Sequence, residues 1–195
     1  MPDSQSPVRI RLPSLLPRIV SVPLALVILQ SGCGDGSSPP PLVSRLYVAN
    51  ALGNSITVYS PDETGDATPV ATIHGPSTGI NPPNGLALDH TRRIFLANLL
   101  GDSSITVYAA DAAGDAAPVA VLAGPSTGLS QPHLLVFDVN RRLYASNIFQ
   151  NSVTIFADGA TGDATPVAIL QGPHTGLDHP SGMTITGPSR GTVIP

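Results

Sequence analysis

One phrase is written three times in this chain of 195 residues. GDATPVATIHGPSTG begins at Gly65, GDAAPVAVLAGPSTG at Gly114 and GDATPVAILQGPHTG at Gly162. Self-similarity at a fixed period outranks other local signals, because each copy must be one structural unit stacked on the next. The copies define units at Leu46 to Arg93, Ile94 to Arg142 and Leu143 onward, the first two 48 and 49 residues long. The extra residue falls in one loop, where NALGNS becomes NLLGDSS, as a repeated unit tolerates best.

Each unit holds four short apolar runs. In the second they are IFLAN (94–98), SITVYA (104–109), PVAVLA (118–123) and HLLVFD (133–138), rich in Val, Ile, Leu, Thr and aromatics and bounded by turn residues. Gly (19) and Pro (21) punctuate the repeats so densely that no helix-length window escapes them. Some runs are apolar at consecutive positions, as in Leu134-Leu135-Val136-Phe137. A sheet with one wet face would alternate, so these sheets are expected to be covered on both faces. Four such strands per 40–50 residues is the pattern of a propeller blade. The expected fold is all-β: β-propeller blades, three four-stranded repeats of 48–49 residues, a partial or half propeller.

LYVANALGNSITVYSPD, with PNGLALD one strand earlier in the blade, resembles NHL-type repeats and related six-bladed propellers. Those carry P-x-G-apolar-A-apolar-D before LYVAD/N and N-x-apolar-x-apolar-F/Y. The resemblance covers Arg45 to about Thr186 and implies the fold rather than an activity. It also implies that the face carrying NALGNS, NLLGDSS and NIFQNS is the binding face.

Within this frame, GDA(T/A)P reads as the turn into each outer strand, with Pro starting an edge strand. GP(S/H)TG leads inward to the next blade. Since successive loops of an antiparallel blade fall on opposite ends, the GP(S/H)TG crossovers are expected to share a face with the NALGNS-type loops. The DHTRR and DVNRR hairpins are expected on the other face with the ETGDATP loops, whose acidic residues are expected to pair with Arg92-Arg93 and Arg141-Arg142.

The N-terminus reads as a targeting segment. Arg9, Arg11 and Arg18 precede an apolar run, Ile19 to Leu29, too short for a spanning helix of about 20 residues but suited to a signal peptide. Gln30-Ser31-Gly32-Cys33 resembles a bacterial lipobox, in which a cysteine after small residues is lipidated and becomes the new N-terminus. The expected organisation is a signal peptide over 1–32, lipidated Cys33 with a Pro/Ser/Gly tether over 33–44, and the three blades over 45–195. The protein is then exported to the bacterial cell envelope, outer membrane or periplasm, touching membrane only through its lipid; an incidental thiol at a cleavage site would leave it secreted. Cys33 is the sole cysteine, so no internal disulfide forms.

The chain has no lysine and one glutamate, and past residue 32 it holds six Arg against twelve acids. Neither that balance nor two Arg pairs makes a nucleic-acid footprint. Asn50, Asn98 and Asn147 close equivalent strands and, converging near a pore, could bind a polar ligand or a metal; capping of their own loops accounts for them more simply. His174, Asp178 and His179 cluster in PHTGLDHP, with His133 on the equivalent loop one blade earlier, and these residue types suit metal ligation. The other copies carry Ser77, Asn81 and Pro82 at the first three positions, so no metal or other cofactor is assigned. The rival class is a lactonase- or lyase-like propeller enzyme. The gluconolactonase-like members use a carboxylate-rich metal centre including Glu, whereas Glu63 lies on an outer loop, and no nucleophile elbow is present. An interaction module for a protein or small polar ligand is the expected function.

Three blades are too few for a ring of about four to eight. An open arc with end faces of about 500 Å² would forgo about 12 kcal/mol of burial per face at roughly 25 cal/mol per Å². The first unit starts at a blade's second strand, and SGMTIT (181–186) reads as an inner strand lacking its blade. Two accounts stay open: a head-to-tail homodimer completing six blades, or a chain that is part of a longer propeller.

Overall fold

A computed structural model describes residues 44–186. The leader, Cys33 and the tether up to residue 43 lie outside the described residues. The first sheet contains β1 (Leu46–Asn50), β2 (Ser55–Tyr59) and β3 (Ala71–Ile73) in that order. The second contains β4 (Pro83–Leu88), β5 (Ile94–Asn98), β6 (Ile105–Tyr108) and β7 (Ala120–Leu122). The third contains β8 (Pro132–Phe137), β9 (Leu143–Asn147), β10 (Ser152–Phe156) and β11 (Ala168–Leu170). Every ladder within a sheet is antiparallel, and each strand pairs with its neighbour in sequence.

The sheets are offset from the sequence repeat by one strand, because each unit's last run crosses into the next sheet and becomes its inner strand. Among the described residues the first sheet therefore has three strands rather than four. The outer strands are shorter than their apolar runs, since Pro118 has no N–H for the ladder. Pairing starts one residue later, with Val119 N donating to Val107 O at 2.8 Å. SGMTIT does not form the expected strand. A strand exists only where a ladder partner does, and among the described residues no sheet follows it. Its start nevertheless lies beside β8, with Ser181 O 3.2 Å from His133 Nδ1.

Side-chain alternation divides the middle sheet between two cores. Ile94, Leu96 and Tyr108 pack toward the first sheet with Ile56 and Ile73. Phe95, Ala97, Ile105, Val107 and Leu122 pack toward the third with Leu135, Leu143, Ala145 and Phe156. All residues of β5 and β6 are buried, as apolar runs on both faces predict. The sheets converge at their inner strands. A Cβ on Gly85 of β4 would run into the His133 carbonyl and approach Leu134 Cα of β8 to 2.8 Å, so only glycine admits this packing. Both inner strands carry a register shift, between Pro83 and Leu86 and between Pro132 and Leu135. Successive antiparallel sheets, stacked face to face and converging at their first strands, are three consecutive blades of a β-propeller, the first without an inner strand among the described residues.

Candidate functional site

Two of the three asparagine amides are spent on bonds inside the protein. Asn98 is fully buried; its Oδ1 accepts the backbone N–H of Asn81 from the preceding crossover at 3.0 Å. Its Nδ2 donates to Ser104 Oγ at 3.1 Å and Thr106 Oγ1 at 3.2 Å. Asn147 repeats the arrangement one blade later, accepting from Ser130 N at 3.0 Å and donating to Ser152 Oγ and Thr154 Oγ1. Two donors and an acceptor are thus spent inside the protein, and the amides fasten one blade's hairpin to the previous blade's crossover. Asn50 makes the donor half of this set, to Val48 O, Ser55 Oγ and Thr57 Oγ1, and is only half-buried.

The histidine cluster also comes apart. His133 lies in inner strand β8, not in a loop. Asp178 and His179 form an exposed neighbouring pair, Nδ1 to Oδ1 at 2.8 Å, and the His179 N–H donates to Asn151 Oδ1 at 2.8 Å. His174 is exposed on the third crossover. Among the described residues, no three His, Cys, Asp or Glu side chains are grouped to hold a metal ion.

The arginines pair differently from expectation. Arg93 Nε donates to Asp89 Oδ2 at 2.8 Å and Arg142 Nε to Asp138 Oδ2 at 2.7 Å, each within its own hairpin. Among the described residues only Arg141 reaches the loop before an outer strand, at 3.6 Å from Asp158. A tight turn brings residues i and i+4 together at no extra ordering cost, which favours the local partner. Arg93 also lies over the Phe95 ring and Arg142 over the Tyr144 ring, at 5.5 and 5.6 Å. Burial pushes the Asp89 carboxyl up. Hydrogen bonds from the Thr91 hydroxyl, the Arg93 guanidinium and their backbone N–H groups outweigh it and hold the group below its ordinary value. In Asp138 the same opposition is won by Arg142, with help from the Tyr144 hydroxyl.

The two halves of the repeated phrase meet instead of occupying opposite faces. The long β6–β7 connection runs out along the first blade's edge, where Gly114 forms a parallel bridge with Ile73. Gly114 N donates to Thr72 O at 2.7 Å, His74 N to Gly114 O at 2.9 Å, and Ser77 N to Asp115 Oδ1 at 2.7 Å. The next boundary repeats all three: Gly162 N to Val121 O at 2.7 Å, Ala123 N to Gly162 O at 2.9 Å, and Ser126 N to Asp163 Oδ1 at 2.7 Å. GD of each blade therefore docks on GPST of the blade before. Glycine is required in the receiving half: Gly75 and Gly124 have φ of 131° and 132°, and a Cβ there would strike the incoming carboxylate. At the first boundary, Tyr108 Oη adds a bond to Thr78 O at 2.7 Å.

A feature that composition and motif matching passed over lies at the hairpin tips. Leu52 (β1–β2), Leu100 (β5–β6) and Phe149 (β9–β10) occupy equivalent positions, and all three are exposed. Equivalent loops of consecutive blades open on one face of the arc, so this face carries one large apolar side chain per blade. The signal in sequence was an apolar residue at the same place in NALGNS, NLLGDSS and NIFQNS, where turns ordinarily carry polar residues.

No protein-family model matches the chain, and no curated protein matches it. Among solved structures it is similar to a protein from Lactobacillus plantarum (21% identity, TM-score 0.48, covering 64% of this chain and 38% of that one). It is also similar to a virginiamycin B lyase from Staphylococcus aureus (11%, TM-score 0.44, covering 60% and 35%). A third is a streptogramin B lyase (19%, TM-score 0.42, covering 63% and 40%). The chain thus spans about two fifths or less of the length of these structures.

Proposed function

We propose that this protein is a β-propeller binding module of the bacterial cell envelope. Residues 1–32 direct export, Cys33 carries the lipid that holds the module at a membrane, and the 33–44 segment is the tether. The face bearing the β1–β2, β5–β6 and β9–β10 loops docks an apolar surface of a protein partner.

The observation that supports this reading is the row Leu52, Leu100 and Phe149, presented one per blade on loops held by buried framework. Exposed large apolar side chains at loop tips cost solubility, and their regular recurrence on one face suits an interface. The amides once available for a polar ligand are consumed by the framework at Asn98 and Asn147. That favours a macromolecular partner over a small polar ligand.

Photo-reactive side chains at positions 52, 100 and 149 test the reading in intact envelopes. A discrete adduct from these sites, absent when the probe sits at 90 or 140 on the opposite hairpins, is expected. Equal labelling from both faces, or none from the first, contradicts it. Cys33→Ser tests the anchor separately by moving the exported protein from the membrane to the soluble envelope fraction.

A further inference from the structure

The blade seam is a two-part connector, and the described residues hold one unmatched copy of each part. The first blade carries the donating loop, Gly65-Asp66, and no blade precedes it among the described residues. The third carries the receiving crossover from Gln171 to Asp178, and no blade follows it among the described residues. Position by position, Asp66 corresponds to Asp115 and Asp163, and the His174 N–H to those of Ser77 and Ser126. Gln171 N corresponds to His74 N and Ala123 N, whose acceptor is the glycine carbonyl that Gly65 reproduces. Asn50 Oδ1 corresponds to the oxygens that accept from Asn81 and Ser130, and the N–H that would fill it belongs to Asp178. None of these six residues makes the corresponding bond within the described residues.

The apolar faces are unmatched in the same register. Leu46 is 51% exposed, whereas its counterparts Ile94 and Leu143 are 1% and 3% exposed. Leu170 is 50% exposed, whereas Ile73 and Leu122 are 0% and 1% exposed. Each open end thus has the apolar positions and hydrogen-bonding groups of a surface that this molecule already joins twice.

We propose that a second copy of this chain joins these ends. The first blade of one protomer receives the third blade of its partner, and the reverse contact completes two identical seams related by a two-fold axis. Asp66 meets the partner's crossover at position 174, Gly65 at 171 and Asn50 at 178. Six blades lie within the range that closes a ring, and a closed cycle consumes both unmatched halves. The connector supports a second copy as this partner: the receiving crossover, with its glycine at 172 and the following Pro-x-Thr, is written in this chain. This inference stands apart from the binding-face proposal, which concerns the loop tips.

Disulfide trapping tests it. In the exported chain with Cys33→Ser, the pair Asp66→Cys and His174→Cys is introduced. The pair Ser77→Cys and Asp115→Cys serves as control, since it spans the intact seam inside one chain. With the control oxidised within its chain, the 66–174 pair is expected to give a species of two chains joined by two disulfides. A product at the mass of one chain overturns the proposal. A ladder of higher multiples overturns the closed six-bladed form.

Discussion

Asp115 accepts the backbone N–H of Ser77 at 2.7 Å across the first blade boundary, and Asp163 makes the same bond to Ser126 across the second. The repeated phrase is therefore a connector whose front half touches the blade before and whose back half touches the blade after. A carboxylate accepting a backbone N–H is a charge-assisted bond, stronger than a neutral one. Both carboxylates are exposed, which weakens the bond. Asp115→Ala and Asp163→Ala are each expected to cost about 1 kcal/mol, read from urea unfolding. Gly124→Ala is expected to cost more, because its Cβ enters the space of the Asp163 carboxylate at a φ that alanine resists. A Gly124→Ala protein as stable as the parent would contradict this.

Asn98 and Asn147 are buried and bonded on both sides of the amide. Replacing either with Leu keeps the volume but strands a backbone N–H and takes a donor from two hydroxyls. The expected loss is about 3 kcal/mol. In chains diluted to the monomer, Asn50→Leu removes a half-buried amide that lacks the backbone acceptor role within its own chain, and is expected to cost about 1 kcal/mol or less by the same reasoning. Equal losses at the three sites would remove the distinction between filled and unfilled seams.

The period, the strand positions and the burial of both faces of the middle blade were legible because each follows from local composition. Val, Ile and aromatic runs between Gly and Pro mark strands whatever surrounds them. The seam was not legible, because aligning the phrase with itself hides that its two halves contact different neighbours. Asp115 and Ser77 lie 38 residues apart in two separate copies. Likewise, the Arg residues looked free to pair with acidic loops until the turn placed Asp89 and Asp138 four residues from their partners. SGMTIT has strand composition but no partner, and partner availability is not a local property. The three asparagines were found by sequence, but the distant backbone N–H groups that Asn98 and Asn147 accept were not legible there.

Asp89 and Asp138 predict the acid limb of stability. Their carboxyls ionise more readily folded than unfolded, so the folded protein binds fewer protons in the acid range. That stability is fully present above the unfolded carboxyl value of about 3.9 and is lost as pH falls through the lower folded values. Asp89→Asn and Asp138→Asn are expected to lower stability at neutral pH and to flatten its fall below about pH 4. Urea midpoints at pH 7, 4 and 3 check this, and an unchanged acid slope would contradict it.

Tyr108 and Phe156 occupy equivalent positions facing the crossovers before them. Tyr108 Oη donates to Thr78 O at 2.7 Å and lies 3.0 Å from Thr106 Oγ1, while Phe156 leaves the corresponding carbonyl of Thr127 without that donor. Tyr108→Phe is expected to cost about 1 kcal/mol. Phe156→Tyr, building the missing bond, is expected to be neutral or stabilising, and a large loss there would show that the seams are not equivalent.

The central claim is that the described blades carry two unfilled halves of one connector and that a second copy of the chain joins them. Sedimentation equilibrium of the exported chain carrying Cys33→Ser, without detergent, measures it directly. The predicted mass is that of two chains, dissociating on dilution and shifted toward one chain by Leu46→Asp or Leu170→Asp. A mass of one chain at every concentration would contradict the account.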